Sequence, residues 1–227
     1  MSYSERLKDI KPFMVMDVLE EAKGLEAQGH DIIHLEIGEP DFDTPACIKD
    51  AACRAMDSGQ THYTHSLGLL ELREAICEDY WERYRVRVDP NQIIVTSGTS
   101  PGLLLCFAAL LEQGDSVVIS DPGYACYANF IQFVGGVPQQ VAVTERDGFQ
   151  YRPEAISEVC TPRTRGIMIN SPANPTGTLL TRERMEDLAS LGPHIVSDEI
   201  YHGLVYEDKE HSILEVTDKA FVLNGFS

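Results

Sequence analysis

Apolar positions follow one rhythm over the first third of the chain and another beyond it. Residues 4–28 carry Leu7, Ile10, Val15, Val18, Leu19, Ala22 and Leu25 at helical spacing, which predicts an amphipathic helix stopping near Gly29. Ile32-Ile-His-Leu-Glu-Ile37 reads as a short strand, broken by Gly38-Glu-Pro-Asp41. A second helix is predicted from near Pro45, with Thr44 as its N-cap, to about Ser58–Gly59, and a third over about Leu69 to Tyr84.

From Gln92 onward short apolar runs alternate with helical patterns. The predicted strands are Ile93–Thr96, Ser116–Ser120, Pro138–Val143, Gly166–Asn170, His194–Ser197 and Ala220–Asn224. Between them, helices are expected over Pro101–Glu112, about Tyr124–Phe133, Pro153–Val159 and Thr181–Ser190. This alternation builds βαβ crossovers, so the expected class is α/β, a mostly parallel sheet with helices against it. No internal repeat, low-complexity tract or long linker interrupts it.

Length and charge narrow the function. A chain of 227 residues with 43% hydrophobic content can bury one sizeable core. The net charge of −18 is spread along the chain with no basic cluster, which argues against nucleic acid and anionic membrane as partners. The opening residues lack the apolar core of a signal peptide, and no run reaches the about 18 apolar residues of a membrane helix, so a cytoplasmic location is expected. Cys47, Cys53, Cys77, Cys106, Cys126 and Cys160 form no C-x-x-C pair and are expected to be reduced core thiols. His62 and His65 have no carboxylate or thiolate at ligand spacing, so no metal site is expected there.

Four polar segments stand where predicted strands run out, and ligands of parallel α/β sheets sit beyond the carboxyl ends of the strands. Ser97-Gly-Thr-Ser-Pro-Gly102 passes from strand through a glycine turn into a helix, with Ser100 as N-cap and Pro101 at the first helical position. The N–H groups of Gly98, Thr99 and Ser100 would suit a phosphate at a helix N-terminus, and a merely well-capped helix fits this stretch equally. Asp121-Pro-Gly-Tyr124 delivers an aromatic ring to the same rim. Asn174-Pro-Thr-Gly177 joins an amide to a rigid turn whose glycine can take positive φ. Asp198 and Glu199 are adjacent, so they point to opposite faces of a strand and only one faces a site. Asp198 either meets a cationic partner, such as a protonated pyridine nitrogen, or caps the following turn. Tyr201 is open to a ligand role or to a packed core position.

Taken in order, Ile37-Gly-Glu-Pro-Asp-Phe42, Tyr63-Thr64, Ser97-Gly-Thr99, Asp121-Pro-Gly-Tyr124, Asn174-Pro-Thr-Gly177, Asp198-Glu-Ile-Tyr201 and Asn224-Gly-Phe-Ser227 resemble the signatures of class I/II aminotransferases. These are fold-type I pyridoxal 5′-phosphate enzymes of the aspartate aminotransferase superfamily, and the resemblance spans the whole chain. It implies a three-layer α/β/α large domain at 41–227, incomplete at its C-terminal side, with 1–40 forming an N-terminal arm and part of a small domain. Gly98, Thr99 and Ser100 would hold the cofactor phosphate, Tyr124 would stack on the pyridine ring and Ile200 would pack on its other face. Asp198 would pair with the ring nitrogen, and Asn174 and Tyr201 would hydrogen-bond the phenolic oxygen. Gly38 and Asn174 would contact the substrate carboxylate. Tyr63 would reach the partner's phosphate in a homodimer with shared sites.

The resemblance implies amino-group transfer from an L-amino acid to a 2-oxo acid. It also places the family's Schiff-base lysine directly after Ser227, so no catalytic residue of that kind falls within the chain and the sequence is expected to be a segment of a longer polypeptide. The family's strand after that lysine lies antiparallel between the first and last parallel strands, so two strand edges are expected to lie unpaired here. A C–S β-lyase with the same cofactor contacts and an inactive cofactor-binding fragment are the alternatives.

Overall fold

Pro12 ends the expected first helix before it starts. Proline donates no N–H and disfavours helical backbone in the residue before it. The 4–28 pattern therefore divides into a single 3-10 turn at Glu5–Lys8 and the helix α1 (Met14–Glu26). The computed structural model describes residues 3–8, 10–40 and 42–226, so Asp41 and Ser227, each within one of the motifs, lie outside the described residues. The chain divides into two units, Pro12–Ser66 and the remainder.

Within Pro12–Ser66, α1 is followed by α2 (Ala46–Asp57). Ile32–Ile37 forms no strand, because no other extended segment of this unit pairs with it; Ile33 and Leu35 are exposed. Thr44 does not cap α2; Pro45 occupies the N-cap position and no side chain bonds the first turn. Helix α2 buries none of its residues, which leaves Cys47 and Cys53 exposed. The other four cysteines are only partly buried, so the thiols are free, as expected, but are not core residues.

The second unit begins with α3 (Leu70–Tyr84), which Arg85 closes in the left-handed region at φ 60°. Then follow α4 (Thr99–Leu110), β1 (Ser116–Asp121), α5 (Cys126–Phe133), β2 (Val137–Ala142), α6 (Pro153–Val159), β3 (Thr164–Asn170), α7 (Arg182–Ala189), β4 (His194–Asp198) and β5 (Ala220–Leu223). The five strands form one parallel sheet in the order β2-β1-β3-β4-β5. The chain leaves β1 for β2 on one side and returns to β3 on the other, so the strand order reverses between β1 and β3. Open α/β sheets place ligands at such a point.

Strand alternation divides the core into two layers. Val118, Ile167, Ile169 and Ile195 face Ile156, Met185 and Leu188 of α6 and α7. Val117, Ile119, Met168 and Val196 face Leu103 and Phe107 of α4 and Tyr127 and Ile131 of α5. Period-two strands covered on both faces make a three-layer α/β/α unit, as expected.

One expected strand is missing. Ile93 has extended backbone (φ −104°, ψ 130°), yet Ile93–Thr96 joins no ladder; the Ile93 N–H bonds the Pro90 carbonyl (3.3 Å) and the Val95 N–H the Leu67 carbonyl (3.0 Å). A strand needs a neighbour to accept its backbone groups, and among the described residues β5 pairs only with β4. Between Ile93–Thr96 and β5 lies a groove of about 660 Å³, lined by apolar side chains such as Ile94, Leu105 and Phe221.

Candidate active site

The turn after β1 requires glycine at 123. A Cβ there would lie 2.7 Å from both the carbonyl oxygen and the hydroxyl of Ser120, so only glycine lets the chain double back and present Tyr124. Three residues on, in the first turn of α5, the buried Tyr127 sets its ring edge-on to Tyr124, with centroids 5.2 Å apart. Its Oη donates to Asp198 Oδ2 at 2.7 Å.

Asp198 ends β4 and is 5% exposed. Its Oδ1 accepts from the Ile200 N–H (3.2 Å), so the carboxylate does cap the turn that follows. Burial pushes its carboxyl above the ordinary aspartate range, and the Tyr127 and Ile200 donors pull it partly back. Among the described residues no cation pairs with it. A buried carboxylate with two neutral donors and no cation has the chemistry to take a positively charged ligand group.

Asn170, the last residue of β3, ties the two strand ends together. Its Nδ2 donates to the Asp198 carbonyl (2.9 Å) and its Oδ1 accepts from the Asn174 N–H (2.6 Å). Asn174 in turn donates from Nδ2 to Tyr201 Oη at 3.1 Å. The turn closes through Gly177, whose φ of 69° is the positive value its position suggested. The Asn174 amide, the Tyr201 phenol and the backbone of Asp198 are thus linked through Asn170 at the carboxyl ends of β3 and β4, and Tyr124 stands at the end of the adjacent β1.

Helix α4 starts two residues earlier than expected. Gly98, at φ 103° and ψ 173°, is the N-cap, and Ser100 and Pro101 fall inside the first turn. Glycine alone takes that backbone readily, and proline is tolerated where the N–H would be unpaired anyway. Gly102 lies against Leu223, the last residue of β5, which brings the start of α4 to the carboxyl edge of the sheet. Gly98 and Ser100 are exposed there, and Thr99 and Ile200 are partly buried. Gly38 and Tyr63 belong to the Pro12–Ser66 unit, where Tyr63 is fully exposed. The sequence reading missed Tyr127 and Asn170. Each is a polar group inside an apolar run, and the need of a buried polar group for a partner was the signal that could have found them.

A parallel α/β sheet with polar groups gathered at its strand-order reversal defines an α/β protein of the ligand-binding, doubly wound kind. The sequence profile of "Aminotransferase class I and II" matches residues 30–227, and the chain belongs to that family. It is 44% identical over 227 residues to the (5-formylfuran-3-yl)methyl phosphate transaminase of Methanocaldococcus jannaschii, covering 99% of this chain and 59% of that protein. With the aspartate aminotransferase of Geobacillus stearothermophilus it shares 39% identity over 236 residues, covering 100% of this chain and 60% of the relative. The solved aspartate aminotransferase of Thermus thermophilus with maleate superposes with a TM-score of 0.95 at 38% identity, over 99% of this chain and 60% of that one. The chain therefore spans about three fifths of the length of these relatives. The family's cofactor is pyridoxal 5′-phosphate.

Proposed function

We propose that the complete protein is a pyridoxal 5′-phosphate-dependent aminotransferase moving an amino group from an L-amino acid to a 2-oxo acid, and that this chain supplies most of the cofactor contacts. The observation that carries the reading is Asp198, a buried carboxylate held by Tyr127 and the Ile200 N–H with no cation among the described residues. It suits a protonated pyridine nitrogen. When bound, the cofactor supplies an electron sink for charge developing at the substrate Cα.

The chain's own residues would do the holding. Asp198 would keep the proton on the ring nitrogen. Asn174 and Tyr201, already joined at 3.1 Å, would meet the phenolic oxygen. Tyr124 would cover one ring face and Ile200 the other, while the backbone of Gly98, Thr99 and Ser100 would bind the phosphate. Gly38 and Asn174 would serve the substrate carboxylate. Tyr63 would serve the partner's site in a homodimer, in the cytoplasm. No helix among the described residues is long and apolar enough to cross a membrane.

Relatives named as transaminases favour amino-group transfer over the C–S β-lyase. The test is transfer of a ¹⁵N label, on the full-length polypeptide with pyridoxal phosphate, from L-amino acids to 2-oxo acids. Label in the new amino acid is the expected result. Release of ammonia and pyruvate without a 2-oxo acid acceptor would contradict it.

A further inference from the structure

Next to the Asp198, Asn174 and Tyr201 group lies a buried polar cluster for which the proposed chemistry has no use. Glu199 is fully buried. Its Oε1 accepts three hydrogen bonds, from Ser197 Oγ (2.9 Å), Ser212 Oγ (3.2 Å) and the Ile213 N–H (2.9 Å). Its Oε2 is buried without a hydrogen-bond partner, 3.6 Å from Nδ1 of the buried His202 side chain. That same Nδ1 is 2.6 Å from Tyr84 Oη on α3.

A charged carboxylate oxygen buried without a donor is costly, and a neutral carboxyl with its hydrogen on Oε2, on the side of the ring, removes that cost. Glu199 and His202 also bracket the segment that carries Tyr201, and Glu199 follows Asp198 directly. We propose that Glu199, His202 and Tyr84 form a proton-holding brace, in which the Glu199 carboxyl keeps its proton on Oε2 and thereby fixes the Asp198–Tyr201 turn for the cofactor. These are positioning residues, and the inference rests on the cofactor reading above.

The surroundings agree. Burial pushes the Glu199 carboxyl up to about 7, partly opposed by its three donors, with Glu215 adding to the rise. Burial pulls His202 below the ordinary histidine range; Glu210, Glu215 and the Ser171 backbone oppose that, and Arg83 adds to it. Arg83 itself pairs with Glu210 and stacks on the Tyr84 ring. Burial raises the phenols of Tyr80 and Tyr84, which face Glu199 from α3, so both stay neutral. With its folded-state value raised, Glu199 stabilises the fold fully below its unfolded value and loses that contribution as pH rises through about 7. His202, with its value lowered, acts in the opposite sense on the acid side.

The test compares this chain with Glu199→Gln, whose amide places a neutral donor where Oε2–H stands, and with Glu199→Ala. In ¹⁵N-histidine spectra, with His202 assigned by its loss in His202→Gln, the parent shows ring protonation below the ordinary range and a second, smaller step near pH 7. Glu199→Gln removes only the second step. In ¹³C-tyrosine spectra, Glu199→Ala moves the Tyr201 signals and Glu199→Gln does not. Pyridoxal phosphate binding weakens about tenfold in Glu199→Ala and by less than about threefold in Glu199→Gln. The parent alone weakens between about pH 6 and 8 beyond the change seen in Glu199→Gln, which cancels the ligand's own phosphate titration.

A single ordinary histidine step unaffected by Glu199→Gln would overturn the brace, as would unchanged Tyr201 signals in a folded Glu199→Ala. The two spectroscopic arms need no cofactor. If they succeed while the parent binds no pyridoxal phosphate, the cofactor reading fails and the brace stands; if they fail while the parent binds, the reverse holds.

Discussion

Tyr127→Phe isolates the hydrogen bond on which the proposed ring-nitrogen contact depends. The two residues are 4% and 5% exposed, the bond is 2.7 Å, and the substitution removes one oxygen without changing the packing of the ring. A hydrogen bond to a charged group contributes about 1.5–3 kcal/mol, and the loss leaves Asp198 with the Ile200 N–H as its remaining recorded donor. A destabilisation of about 2 kcal/mol lowers Tm by about 4–8 °C in a chain of this size. The sign depends on pH. Asp198 has a raised folded-state value, so its contribution is fully present below its unfolded value and is lost as pH rises through the folded one. Removing the phenol raises that value further, so the cost of Tyr127→Phe is smallest in acid, where the carboxyl is protonated in both proteins, and grows as pH rises through the folded-state value. Urea unfolding of the parent, Tyr127→Phe, Asp198→Asn and the double variant measures this as a cycle, with an expected coupling of about 1–2 kcal/mol at the upper pH. A cost below about 0.5 kcal/mol at every pH, or additive single variants, would refute the reasoning.

Other substitutions probe neighbouring parts. Tyr201→Phe removes the acceptor of the Asn174 amide at a half-buried position, and about 1 kcal/mol translates into about fivefold weaker pyridoxal phosphate binding, read by fluorescence titration with the fold unchanged by circular dichroism. Gly123→Ala forces the Ser120 backbone to move and is expected to destabilise by about 1–3 kcal/mol, with displacement of Tyr124 visible in tyrosine spectra. Arg165 beside Asp115, helped by Arg163, holds that carboxyl below the ordinary range, so its contribution is present above the unfolded value and lost as pH falls through the folded one. Urea midpoints should therefore separate the parent from Asp115→Asn at neutral pH and converge in acid.

The centre of the sheet was legible because β1, β3 and β4 are buried on both faces and read as continuous apolar runs; the expected β3 and β4 cores fall inside the observed spans. What failed were segments whose state depends on partners. Ile32–Ile37 and Ile93–Thr96 have strand composition, but composition cannot supply a neighbouring backbone. Thr44 and Ser100 are good capping residues displaced by proline and glycine, whose backbone limits outrank a single side-chain bond. In the site, Asp198, Asn174 and Tyr201 were visible as polar residues at strand ends. Tyr127 and Asn170 were not, because each looks like part of an apolar element until its buried partner is known.

Equilibrium titration of this chain with pyridoxal 5′-phosphate, against Asp198→Ala and with folding verified for both, tests the central claim most directly. The account predicts saturable binding to the parent, weakened at least about tenfold in the variant. Equal affinity in the two, or no saturable binding to the folded parent, would contradict it.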